Sequence, residues 1–413
     1  MIDIKILRAD PERVKQNSIR RGATNVDIDA LHKLDQEYLQ LLQQAETLRA
    51  NRNDLSAKCK DDPDARAQVK ALKEELSAVE AHRDELKVEI DDGLAWLPNF
   101  LDDSVPDGHG DDDNAELSTW GEKPVFDFDP RDHQSLGEVL DVIDTKRGSK
   151  VAQSGFYYWK GQGAQLATAL FFWTQQELVK RGFTLFMSPC AAKERTLFGT
   201  GYLPFFADQT YNLENEDLAL IGTSEQTLVA YHTDETLNAE ELPRCYTSYT
   251  PCFRTEAGSY GKETRGIFRV HQFHKVEQIV FCLPDESPKY HQMCQENEQY
   301  LLEQLGLPYR VVNVCVGDMG APGYKKFDIE AWYPGYGGYR EVTSNTNLTD
   351  FQARRLGIRY NDGGTKGFVH TISATAVTDR VVCAIMENFQ EADGSVTVPE
   401  VLRTYTGFDK MTP

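Results

Sequence analysis

Phe253-Arg-Thr-Glu-Ala-Gly-Ser-Tyr-Gly-Lys-Glu-Thr-Arg-Gly-Ile-Phe-Arg-Val-His-Gln-Phe-His-Lys-Val-Glu277 is the stretch on which the reading of this chain turns. An arginine and a carboxylate stand two apart, Arg254 and Glu256, ahead of a glycine-rich, hydroxyl-rich, cationic loop from Ala257 to Gly266. An alternating run from Ile267 to Glu277 then reads as a returning strand. Alternate residues of a strand share a face, so Arg254 is expected to point with Glu256, and Phe273 with Lys275 and Glu277. Two such strands would present an arginine, two carboxylates and an aromatic ring on one surface, a floor for holding a nucleotide and an amino group together. An isolated Arg–Glu pair at this spacing is ordinarily a solvated ion pair; here the pattern runs on without a gap.

Around this stretch lie 413 residues, 40% hydrophobic and 26% charged, enough for two or three domains with a sizeable core. No apolar run approaches the ~20 residues of a membrane helix. The opening Met1-Ile-Asp-Ile-Lys-Ile-Leu-Arg8 lacks a basic segment followed by an apolar core, so no secretory signal is expected. The eight cysteines contain no CxxC pair. Neither a disulfide framework nor a zinc site is therefore expected, and a cytoplasmic setting fits. Net charge is −21, of which −4 falls in residues 1–100 and −17 in the remainder. Taken alone this opposes a nucleic-acid partner, because phosphate contacts need Lys and Arg, but it does not exclude a local basic stripe. GxxxxGK[ST] and GxGxxG are absent, so neither of those glycine-rich phosphate sites at a helix N-terminus is expected.

The first 26 residues read as a small helical cap, with Asp10 as N-cap and Pro11 at the first helical position. A 3/4 spacing follows through Leu31, Leu34, Tyr38, Leu41, Ala45, Leu48, Arg52 and Leu55. A second runs through Val69, Leu72, Leu76, Val79, Arg83, Leu86 and Ile90, with Asp61-Asp-Pro-Asp64 between them. This predicts an antiparallel coiled-coil hairpin over about 27–92, each arm roughly 45 Å long. The Pro/Gly/Asp density of 93–115 marks a linker, dividing the chain into domains 1–110 and 111–413. Beyond it the pattern becomes mixed: a helix from Gln165 to Arg181, then a strand Thr184-Leu-Phe-Met-Ser-Pro189 with an edge proline.

The 253–277 stretch resembles motif 2 of the class II aminoacyl-tRNA synthetases, and specifically of the seryl-tRNA synthetase family. The helix, strand and proline of 165–189 resemble motif 1, and the N-terminal hairpin resembles that family's tRNA-binding arm. The fold the resemblance implies is α+β: an N-terminal antiparallel helical arm, plus a class II catalytic domain on an antiparallel sheet flanked by helices. The activity implied is serine activation with ATP to seryl-adenylate and transfer to the 3′ end of tRNA(Ser), and of tRNA(Sec) where present. A homodimer and Mg²⁺ bound with ATP come with it.

Carried over position by position, the resemblance assigns serine contacts to Thr223, Ser224, Glu225, Arg254, Glu277 and Thr375. ATP contacts fall on Arg254, Thr255, Glu256, Val270, Phe273, Glu341, Val342, Thr343, Ser344 and Arg380, with Glu341 and Ser344 also toward Mg²⁺. Arg254, Arg380 and Glu341 would carry catalysis. Arginine suits its place because its planar fork grips the substrate carboxylate and the α-phosphate at once. His271 and His274 are read as structural. Motif 3, His370-Thr-Ile-Ser-Ala-Thr-Ala-Val-Thr-Asp-Arg380, departs from the family. Ser373 replaces an asparagine, and the spacing to Arg380 is one residue short. Aligned from the front, Thr375 supplies the serine-contacting hydroxyl; aligned from the arginine, Ala374 falls there. The first is preferred because it retains a polar residue. Two rivals stand: an aminoacyl ligase that charges a carrier protein, which lacks such an arm, and a catalytically inactive coiled-coil scaffold.

Overall fold

The computed structural model describes residues 1–58, 63–257 and 266–413. The chain forms two compact units, Met1–Phe100 and Leu101–Pro413.

In the first unit, helix α1 (Ile4–Ala9) leads to α2 (Pro11–Arg20), whose N-cap Asp10 accepts from the Arg13 N–H at 3.0 Å. Helices α3 (Ile28–Lys58) and α4 (Pro63–Ala95) make the antiparallel hairpin. The break between them falls at 59–62, outside the described residues. Every position of both predicted stripes is buried or half-buried, the two arginines included. Leu7, Val14, Leu31, Leu86, Ile90 and Leu94 form a core where the cap meets the hairpin, and Ala45, Leu48 and Leu76 form a second along the seam. Arg49 bonds across to Glu80.

The second unit is built on an eight-stranded sheet. In chain order the strands are β1 (Ala115–Trp120), β2 (Thr184–Phe186), β3 (Arg244–Phe253), β4 (Gln272–Cys282), β5 (Tyr309–Asn313), β6 (Lys325–Tyr333), β7 (Gly338–Thr349) and β8 (His370–Thr378). Their spatial order is β1-β5-β6-β7-β8-β4-β3-β2, antiparallel throughout except for β2 against β3. Helices used below are α5 (His133–Val139), α6 (Gly161–Lys180), α7 (Glu225–Ala230), α8 (Ser287–Leu305), α9 (Phe351–Leu356) and α10 (Asp379–Asn388). The main core packs Val276, Val280 and Cys282 of β4, with Ile372, Ala374 and Ala376 of β8, against α8, α10 and α6. A smaller one packs Ile279 and Phe281 against Leu228 and Val229 of α7. Glu277 shares parity with Ile279 and therefore faces this side, away from the main core.

Two expectations about the opening stretch are corrected. The returning strand begins at Gln272 and not at Ile267. Ile267, Phe268 and Val270 are all buried, so the run does not alternate, and the Ile267 N–H bonds outside the sheet, to His133 Nε2. The first strand ends at Phe253, so Arg254 and Glu256 are not related by the pleat of a strand; Glu256 takes φ +51°. The chain turns there, and Arg254 is clipped to His271, its N–H bonding the His271 carbonyl at 3.0 Å. The predicted helix at 165–181 begins earlier, at Gly161, and the strand after it is three residues long, with Pro189 beyond its end. The loop residues 258–265 lie outside the described residues.

Candidate active site

A solvent-open cleft of about 660 Å³ runs along the sheet face that carries Glu277. β4 supplies Phe273 and Lys275, which alternate onto that face as the sequence pattern requires. β7 supplies Glu341, Val342, Thr343 and Ser344, and the start of α10 supplies Arg380. Arg254, Glu256 and Val270 complete one wall, so nine of the ten residues assigned to ATP line a single cleft. The tenth, Thr255, turns away: its hydroxyl donates to the Asp208 carbonyl at 2.5 Å.

Two β-bulges aim the side chains. On β7 the register slips between the Ile329–Thr343 and Glu330–Glu341 pairs, leaving Val342 extra. That one-residue insertion turns Glu341 to the cleft side along with Ser344, where strict alternation would have sent it to the back. On β8 Ala376 is the extra residue, between Thr375 and Val377. Thr375 therefore pairs with Glu277, while Thr378 pairs with Lys275 and returns to the cleft face. Thr378 then caps α10, its Oγ1 accepting from the Arg380 N–H at 3.2 Å. Ala374 is fully buried in the main core on the opposite face. The geometry thus places Thr375, and not Ala374, at the site.

Electrostatics divide the site in two. At one end burial disfavours ionisation of Glu341, but Arg380 and then Lys326 outweigh it and pull its pKa down to about 2. Arg380 Nη1 donates to Glu341 Oε2 at 3.0 Å, and its Nε donates to the Phe268 carbonyl at 3.2 Å. An ionised carboxylate beside the Ser344 hydroxyl fits a hard cation. The described residues contain no cluster of three or more metal-ligating side chains.

At the other end lies a buried polar cluster. Glu277 accepts from the Thr223 hydroxyl and from the Ser373 hydroxyl, each at 3.1 Å, and pairs with Lys275. Lys275 Nζ reaches Thr375 Oγ1 at 3.5 Å. Glu225 accepts from Gln352 of α9 at 2.7 Å and from the Tyr202 hydroxyl at 3.3 Å. Burial, then the neighbouring Glu277, push the Glu225 carboxyl up. Ser224 is fully buried at the start of α7. A second cavity, of about 500 Å³, opens on the far flank of Arg254 and is lined by Tyr202, Phe206, Gln209, Gly222, Gln226 and Phe253 among others. Arg254 lines both cavities; Lys275 and Thr375 of the polar cluster line the first, and Gly222 and Gln226, which flank Thr223–Glu225, line the second.

Sequence reasoning noted the face of Lys275 but gave it no role, and it passed over Gln352 and Tyr202. Alternation on β4 was the available signal for Lys275. Nothing local marks the other two, which reach Glu225 only through the fold. His271 donates from Nδ1 to the Arg254 carbonyl at 3.1 Å, and the His274 N–H bonds Asp379 at 2.5 Å.

A cationic hinge between two cavities, over paired carboxylates on an antiparallel sheet, is the arrangement of a class II aminoacyl-tRNA synthetase. Residues 209–389 match the tRNA synthetase class II core domain (G, H, P, S and T), and residues 1–101 match the seryl-tRNA synthetase N-terminal domain. The chain is 41% identical over 423 residues to the serine–tRNA ligase of Dictyoglomus turgidum, with both chains covered in full. It superposes on the crystal structure of seryl-tRNA synthetase from Pyrococcus horikoshii complexed with ATP, with a TM-score of 0.96, 38% identity and full coverage of both chains. It superposes also on cytoplasmic serine–tRNA ligase from Naegleria fowleri in complex with AMP, at TM-score 0.90 and 30% identity, covering 100% of this chain and 99% of that one. The chain belongs to the seryl-tRNA synthetase family.

Proposed function

We propose that the chain activates L-serine with ATP and transfers the seryl group to tRNA(Ser), and to tRNA(Sec) where that tRNA exists. The observation that carries this reading is that Arg254 lines both cavities while Lys275 and Thr375, the partners of Glu277, line the larger one. The larger cleft takes ATP. Phe273 stacks on adenine, and Glu256, Val270, Val342 and Thr343 frame the nucleotide. Arg380 keeps its Phe268 carbonyl and turns from Glu341 toward phosphate oxygens. Mg²⁺, when bound with ATP, neutralises phosphate charge beside Glu341 and Ser344.

Serine sits over Thr223, Glu225, Glu277 and Thr375. Its ammonium meets Glu225, offsetting the burial and the neighbouring Glu277 that push that carboxyl up. The serine hydroxyl meets Glu277 and Thr375. Arg254 holds the serine carboxylate against the α-phosphate, two anions that repel in solution. The carboxylate attacks phosphorus in line and pyrophosphate leaves, forming seryl-adenylate. A ribose hydroxyl at the tRNA 3′ end then attacks the carbonyl, and AMP leaves. Orientation and charge neutralisation supply the acceleration, with no protein nucleophile. The second cavity gives the acceptor end room beside Arg254.

The hairpin fits a rod that reads an RNA duplex by shape. The homodimer reading is supported by apolar surface on and near the edge strand β2: Met187 is fully exposed and Phe172 half exposed. A cytoplasmic setting is supported by the seven described cysteines, all free. Charging of total tRNA with radiolabelled serine tests the proposal. Serylated tRNA is expected. Activation without charging would favour the carrier-protein ligase, and neither activity would favour the scaffold.

A further inference from the structure

Glu387 lies on α10 seven residues beyond Arg380, is 1% exposed, and accepts three N–H groups. Its Oε1 takes the His133 backbone N–H at 3.0 Å and the His133 Nδ1–H at 2.8 Å; its Oε2 takes the Gly335 N–H at 2.9 Å. On the other side of the buried imidazole, Nε2 accepts the Ile267 N–H at 3.3 Å. Only a neutral ring protonated on Nδ1 satisfies both sides. Gly266 approaches so closely that a Cβ there would stand 2.3 Å from His133 Nε2, and its φ is +81°. A side chain at 266 would force the ring away.

The segment held in this way carries Arg380. The Phe268 carbonyl accepts from Arg380 Nε at 3.2 Å, and the Arg380 guanidinium lies 4.3 Å from the Phe268 ring centroid. Arg340 lies against the same ring at 3.2 Å. Two turns of one helix therefore grip Ile267–Phe268 at both ends, directly through Arg380 and indirectly through Glu387 and His133. A pair serving only the core would explain the burial. It would not explain why the imidazole spends its second nitrogen on a segment that lines the nucleotide cleft.

We infer that Glu387 and His133 are positioning residues for ATP: they fix Ile267–Phe268, and through Phe268 the guanidinium of Arg380, at the wall of the cleft. This rests on the proposal that the cleft takes ATP. The test is serine-dependent ATP–pyrophosphate exchange by the full chain, normalised to active sites, with ATP and serine varied separately in wild type, His133→Asn, His133→Gln and Glu387→Gln. Asparagine keeps a donor for Glu387 but cannot reach the Ile267 amide; glutamine places an acceptor near the Nε2 position. The expected result is an ATP KM raised about tenfold in His133→Asn and largely recovered in His133→Gln, with serine KM changed less than about twofold. Faster deuterium exchange at the Ile267 amide should accompany it. An unchanged ATP KM in His133→Asn, with only the melting temperature lowered, would overturn the inference. Should that variant not fold, Glu387→Gln carries the same comparison. ATP affinity by equilibrium dialysis, measured without serine in the same proteins, keeps this outcome separate from any failure of the ligase reading.

Discussion

Glu277 meets two hydroxyls and an ammonium before any ligand arrives. It is 1% exposed and ion-paired with Lys275. Lys275→Met should therefore leave an uncompensated buried carboxylate and cost about 3–5 kcal/mol of stability, read from urea unfolding. A loss below about 1 kcal/mol would show that the pair adds little to stability. Thr375 pairs with the same carboxylate across the strands. Thr375→Ala should raise the serine KM about tenfold while ATP KM stays within about twofold, because one hydroxyl contact is lost. Ala374→Ser, aimed into the main core, should lower the melting temperature and leave serine KM alone. The reverse pattern would restore the alignment anchored on Arg380.

At the scale of elements, α8 backs the sheet with a histidine held neutral. His291 stacks on Phe327 at 4.8 Å between centroids, bonds the Asn345 carbonyl at 3.1 Å, and burial lowers its pKa to about 4. The folded state resists protonation, so this stabilisation is present above the unfolded value near 6.5 and is lost as pH falls toward 4. The loss amounts to about 3 kcal/mol. Glu341 acts in the same sense lower down, between its unfolded value and about 2. Thermal melts between pH 7 and 4 should show the decline, and His291→Gln should flatten it. Much at this scale was legible in the sequence: the Asp10 cap, the two hairpin stripes, and the alternation of Phe273, Lys275 and Glu277 each rest on local spacing. What was not legible depends on partners distant in the chain. Ile267 lies outside β4 with its amide on His133, 134 positions away, and the aim of Glu341 and Thr378 is set by single-residue slips against neighbouring strands. The contact of Gln352 with Glu225 spans 127 positions.

For the whole molecule, the proposed roles fall on different units. The residues assigned to serine and ATP all lie in Leu101–Pro413, and the hairpin lies in Met1–Phe100. Replacing most of the hairpin by a short linker should leave serine-dependent pyrophosphate exchange within about twofold and lower charging of tRNA by about a hundredfold or more, an effect on tRNA KM. Equal loss of both activities would mean that the hairpin serves the catalytic unit directly. With a net charge of −21, charging is predicted to depend on salt less steeply than in a strongly basic RNA-binding protein, unless a local basic stripe carries the phosphate contacts. The central claim, a site built for serine and ATP, is tested most directly by ATP–pyrophosphate exchange across the twenty amino acids. Exchange with serine, far above that with alanine or threonine, is the predicted result. No exchange with serine, or equal exchange with alanine, would contradict it.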